Sequence, residues 1–250
     1  MALPVTSGTA SFLVSRDDII KAALQDMKVL IAGQSPGTND VTDLSFRLNL
    51  ILKWLNTLGY LQWLYQTLTP ISFVAGQITY TVAESGSPSL TNYRPVRLAH
   101  AWRRDNSTPP NDIPLIVTSR AGYDLLTPKT APGIPNTVYY DPQIGLGTFY
   151  VWPVPTDATN SLVACIQRPV QDITGSTQNF DVTQEWFLPL HWILADEAMS
   201  MYQVDEKTMK LISMKATYYR EKVADFAQED ASLNIQPDMQ YQGYQGKFNS

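Results

Sequence analysis

A chain of 250 residues with a 44% hydrophobic share is long enough to bury a substantial core, in one large domain or two small ones. Its formal net charge of −5 argues against tight duplex binding, which needs a surplus of Lys and Arg. A single cysteine excludes a disulfide framework within one chain and a cysteine-based zinc site.

Charged residues make up only 16% of the chain, below the usual share of about 25%, which favours an assembled protein over a lone monomer. The first fifteen residues lack a basic n-region and a sustained apolar run, so no secretory leader is expected. No segment is apolar over the length of about twenty residues that a spanning helix needs. The expectation is a protein made in a cytoplasm, with no membrane contact.

In chain order, Ser15 reads as an N-cap, with Asp17 and Asp18 at the positive end of a first helix closed by Gly33 and Pro36-Gly37. Thr38-Asn39-Asp40 caps a second. Its positions Val41, Leu44, Leu48, Ile51, Leu55 and Leu58 step by three or four into one apolar stripe, and the helix is expected to run past Gly59 through Trp63-Leu64. From Ile71 the period changes to two. SFVAGQITYTV reads as a hairpin about Ala75-Gly76, and ESGSPSLTN as a loop. Val96 to Trp102 and Ile113 to Val117 read as strands, and Ser119 to Leu126 as a short helix. Thr137 to Tyr140 and Phe149 to Trp152 make a strand pair, and Leu162 to Arg168 the last strand. Pro153 and Pro155 lack ladder donors and belong at a strand end or sheet edge.

Helix returns near Gln184, its regular part starting near Leu188 because Pro189 is tolerated only early. Asp205-Glu206 begins another, with Met209, Ile212, Ala216, Tyr219, Val223 and Phe226 in three-four spacing. The helices of the two chain ends each have one stripe and no other partner, so they are expected to pack together. The fold class is therefore α+β: a helical bundle from residues 1–69 and 173–230, a small antiparallel β module inserted at 70–172, and an extended tail at 231–250. In that tail Ile235, Met239, Tyr241, Tyr244 and Phe248 are spaced apolar anchors suited to a segment that orders on a partner.

An ordered series of phrases carries a resemblance: RLNLILKWLNTLG, ISFVAGQITYTV, RPVRLAHAWRR, IPLIVTSRAGYDLL, PGIPNTVYYDP, GTFYVWPVP and WFLPLHWILADEAMSMY. Over about residues 17 to 227 the chain resembles the head-to-tail adaptor proteins of tailed bacteriophages, of the tail accessory factor (packaged-DNA stabilisation) type. It departs from the pattern where Thr183-Gln184 precedes Glu185-Trp186 and Leu188-Pro189 comes later. The resemblance implies a structural neck protein at the head-to-tail interface of a virion, forming rings, usually of twelve copies, beneath the portal. The ring would extend the DNA channel, retain packaged DNA without sequence-specific binding, and seat a downstream tail or nozzle protein. By analogy with arms in that family, the C-terminal segment would climb against the portal.

Arg94, Arg97, Arg103 and Arg104, with Trp102 among them, are the densest basic cluster and a candidate subunit or tail contact; the plainer reading is a solvated strand face paired with Asp105 and Asp112. No catalytic, cofactor or metal residues are expected: His100 and His191 lack ligand spacing, and Gly145-Leu146-Gly147 lacks the third glycine of a dinucleotide loop. The alternative function is a tail-associated glycan hydrolase, with Glu185 beside Trp186 as general acid and Asp181 or Asp196 as second carboxylate. A further alternative is a tail-tube or baseplate component.

Overall fold

The computed structural model describes residues 12, 14–175 and 181–226. Helix α1 (Arg16–Asp26) opens on a capping box: the Ser15 hydroxyl accepts from the Asp18 N–H, and the Asp18 carboxylate accepts from the Ser15 N–H at 3.0 Å. The Ser15 hydroxyl also donates to that carboxylate at 2.6 Å, and this side-chain bond, more than any other influence, holds the Asp18 carboxyl below its ordinary value. Helix α2 (Thr38–Leu58) starts on Gly37 rather than on a side-chain cap, and it stops at Gly59, which stands at φ 79°. Two constraints reserve that position for glycine: the left-handed backbone, and the Arg97 guanidinium filling the space a Cβ would need. The helix therefore does not continue through Trp63. A 3-10 turn, Gln62–Leu64, drops Leu61 and Leu64 into the helical core, and the chain enters β1 (Tyr65–Thr67).

The strands that follow are β2 (Ile71–Ser72), β3 (Thr79–Ala83), β4 (Leu90–Thr91), β5 (Arg97–Asp105), β6 (Asp112–Pro114), β7 (Ile116–Thr118), β8 (Pro132–Gly133), β9 (Thr137–Gln143), β10 (Leu146–Trp152), β11 (Val154–Pro155) and β12 (Asn160–Gln167). Helix α3 (Arg120–Asp124) lies between β7 and β8, shorter than the Ser119 to Leu126 expected, with Ser119 as its cap: the Ser119 side chain accepts from the Gly122 N–H. Helices α4 (Phe187–Ala198) and α5 (Glu206–Phe226) complete the chain.

Two five-stranded sheets form. One runs β1-β12-β5-β6, with β2 also on β12; the other runs β4-β3-β10-β9-β7. The expected hairpin about Gly76 is absent as a pair. The turn exists, but β2 joins β12 in the first sheet and β3 joins β10 in the second. The single strand expected over Ile113 to Val117 likewise divides: β6 belongs to one sheet and β7 to the other, with buried Leu115 between them. The first sheet is antiparallel throughout, but the second is mixed, since β4 on β3 and β7 on β9 pair parallel.

The aromatic strand is central. β10 lies between β3 and β9, facing β9 over seven pairs from Leu146↔Gln143 to Trp152↔Thr137. Its alternation sends Phe149 and Val151 into a core shared with Tyr80, Val138, Tyr140, Leu162 and Ile166 of both sheets. Tyr150 points the other way, stacks on Tyr139 and meets the Tyr123 ring at a tilt, so α3 covers the outer face. The two prolines fall where the β10 ladder ends, as expected; Val154–Pro155 then pairs with Pro132–Gly133.

Helices from both chain ends share a second core, in which Ile20, Leu24, Leu48, Leu52, Trp186, Leu190, Ile193, Leu194 and Ile212 are buried. Helix α4 packs against α1, α2 and α5. The α+β class is as expected. Gln167, fully buried at the end of β12, ties the helices to the first sheet. Its Nε2 donates to the Asn56 carbonyl at 2.9 Å and Asn56 Oδ1 at 2.6 Å, while Arg97 Nε donates to its Oε1 at 2.5 Å.

Candidate assembly surfaces

Helix α2 carries a second apolar row that its first stripe conceals. Phe46, Leu50, Trp54 and Leu58 recur every four residues on the side away from the core, and all four are exposed. Leu50, Ile51 and Trp54 form one wall of a groove of about 540 Å³, closed by Asp196, Glu197 and Arg220. That polar wall is prearranged. Arg220 donates to Asp196 Oδ2 at 2.8 Å and Glu197 Oε1 at 3.2 Å, Ser213 donates to Asp196 Oδ1 at 2.8 Å, and Arg47 donates to the Glu197 carbonyl at 2.8 Å. On α5 a different exposed row, Leu211, Met214 and Tyr218, continues to the exposed Phe226. The expected α5 stripe is partly as drawn: Ile212, Ala216 and Val223 are buried and Phe226 is not.

The β5 arginines diverge because neighbouring strand residues face opposite sides. Arg104 forms a two-pronged bond with Asp112 across the β5–β6 pair, at 2.7 and 2.6 Å. Arg103 reaches Asn160 Oδ1 at 3.3 Å through Nη1, and its buried Nε has no hydrogen-bond partner among the described residues. Arg97 is held by Gln167, as above. Arg94 lies near Tyr140, whose phenol is pushed up chiefly by burial, with Arg94 opposing. Trp102 is half-buried beside His100. Asp105 instead organises its own turn, accepting from Ser107 and from the Asn111 N–H. Ile235, Met239, Tyr241, Tyr244 and Phe248 lie outside the described residues.

Each carboxylate weighed for general acid–base work has a structural engagement. The Glu185 carboxyl is held below its ordinary value, first by its own backbone N–H and then by the Thr183 side chain. A glycan-cleaving general acid needs the opposite shift. The neighbouring Trp186 ring is turned into the helical core, edge-on to Trp63 at 5.4 Å, and supplies no apolar pocket for that carboxyl. Asp181 pairs with Arg168, and Asp196 with Ser213 and Arg220. Cys165 and His100 line a small cleft with Gly59, Gln62, Tyr65 and Ala99; burial pushes the Cys165 thiol up, so it is a poor nucleophile there. His191 Nε2 lies 3.0 Å from Asp26 Oδ2.

Capping carboxylates make stability fall in acid. Asp205 accepts from the Thr208 hydroxyl at 2.6 Å and its N–H at 2.9 Å, and these bonds, the hydroxyl first, hold its carboxyl below 3.8. A lowered folded value means the contribution is complete above the unfolded value and disappears as pH falls through the folded one. Asp205→Ala is therefore expected to lower the urea midpoint near neutrality and to match the wild type in strong acid. A gap that stays constant with pH would reject this account of the α5 cap.

The stripe-bearing helices and the two facing sheets form one continuous chain of elements, and the family profile described as SU10 adaptor protein matches residues 16–241 of it. The chain belongs to the SU10 adaptor protein family. No curated protein matches it. Membership makes this SU10 adaptor a structural component of a phage particle, assembling with portal and tail proteins. Within the C-terminal segment, Ile235, Met239 and Tyr241 fall inside the matched range and Tyr244 and Phe248 beyond it. Among the described residues no helix is long and apolar enough to cross a membrane.

Proposed function

We propose that this SU10 adaptor is a head-completion protein of the neck, closing as a ring of about twelve copies, a number taken from the resemblance, around the DNA channel beneath the portal. The observation that carries this reading is the pair of exposed apolar rows, on α2 and on α5, in a chain whose family is an adaptor family. A surface with two separate apolar rows suits repeated contacts between identical copies. The ring would extend the channel, retain packaged DNA and seat the tail. The net charge of −5 suits a lumen through which a polyanion slides without sticking.

In this reading the C-terminal segment is the portal arm, with Ile235, Met239, Tyr241, Tyr244 and Phe248 as its contacts. The cluster of Arg94 with Arg97, Trp102, Arg103 and Arg104 of β5 contributes to a subunit or tail contact. The in-chain bonds of Arg97, Arg103 and Arg104 hold those side chains in place for it.

The test is imaging of the portal vertex after purified protein is mixed with tail-less heads. Ring density directly below the portal is expected, and a vertex without it rejects the reading. Deleting residues 231–250 is expected to abolish attachment while leaving the thermal midpoint unchanged. Attachment at the wild-type level would remove the arm from the reading.

A further inference from the structure

We infer that the outer row of α2 on one copy receives the outer row of α5 on the next. This rests on the ring reading and specifies its subunit contact. Phe46, Leu50 and Trp54 are 48–66% exposed, and Leu211, Met214 and Tyr218 are 46–62% exposed, so both rows offer real contact area. They also supply the residue types that interfaces favour, Trp, Tyr, Phe and Met. Each sits on a helix of 21 residues, so the two rows are matched in length.

The rows face different ways. Leu211 is nine residues from Arg220, which at about 100° per residue puts it on the opposite side of α5. Arg220 is turned to Asp196, Glu197 and the groove beside α2, so the α5 row looks away from the α2 row. Two different patches with different headings make a head-to-tail contact, the kind that closes into a ring.

Charge selects the same pairing. Asp43 lies two helical turns before Leu50 on the α2 row and is exposed. Lys207 and Lys215 lie one turn either side of Leu211 on the α5 row. Among the described residues none of these three has a salt-bridge partner. Pairing like rows would set lysine against lysine or aspartate against aspartate, whereas pairing unlike rows sets Asp43 towards the lysines.

The experiment uses the full chain with Cys165→Ala, carrying either Leu50→Cys or Met214→Cys, assembled on tail-less heads and oxidised. A mixture of the two variants is expected to give a disulfide-linked dimer, and each variant alone none. The double variant is expected to give a ladder of higher species. Dimers from one variant alone, or ring density without any cross-link, overturns the inference and leaves the ring standing. Linkage of Leu50→Cys to a Tyr241→Cys copy assigns the α2 row to the C-terminal segment and also overturns it. Absence of any ring at the junction removes the ring reading itself, and this contact with it.

Discussion

Trp186→Ala is expected to cost about 3–5 kcal/mol of folding stability, the range for deleting a large buried aromatic side chain. Trp186 is 1% exposed and sits where the 3-10 turn Gln184–Trp186 leads into α4, so its ring wedges the start of the central helix against its neighbours. About 1 kcal/mol of the loss belongs to the edge-on contact with Trp63, and the rest to lost burial and an unfilled cavity. A domain of this size holds together by about 5–15 kcal/mol, so the variant would approach the unfolding threshold. Hydrogen exchange should locate the damage: α1 and α4 amides lose protection first, while β10, which belongs to the other core, keeps more of its own. A urea-derived loss below about 1 kcal/mol would refute the wedge role.

The second large effect is at Asp181, through charge rather than volume. Arg168 donates to both carboxylate oxygens of Asp181, at 2.5 and 2.7 Å, and the two side chains are only 16% and 17% exposed. The same carboxylate accepts from the Gln171 N–H at 3.1 Å, fastening the segment that follows β12. Asp181→Ala strands a mostly buried guanidinium and an amide; such a break costs about 3–5 kcal/mol when complete, and partial exposure brings the expected loss to about 2–3 kcal/mol. The double variant Arg168→Met with Asp181→Leu removes both charges and should recover most of that loss. If the double variant is as unstable as Asp181→Ala, the penalty lies in packing and the stranded-charge explanation is wrong.

Both positions show why a carboxylate or an aromatic residue is ambiguous before the fold is known. Glu185-Trp186 reads as a general acid against an apolar wall, yet the helix start turns the two side chains apart, the ring inward and the carboxyl towards its own N–H and the Thr183 side chain. Asp181 reads as a free second carboxylate, and its arginine stands thirteen residues earlier in the chain. The Phe46-Leu50-Trp54 row was legible as an i, i+4 repeat, but the stronger stripe through Leu44, Leu48 and Leu55 masked it.

What the sequence determined alone is local. Stepping by three or four placed α1, α2, α4 and α5, alternation placed β9 and β10, a short apolar run placed β12, and the serine cap at Ser15 marked where α1 begins. These signals depend on neighbours within a turn or two, so they survive without any tertiary contact. Only the tertiary structure decided that Gly59 ends a helix, that β2 and β3 separate, and that Leu115 divides β6 from β7 between two sheets. It also decided which of two apolar rows on α2 is buried. Strand partners and buried faces are settled by residues far along the chain, because a pleat or a stripe states what must be covered and leaves open what covers it.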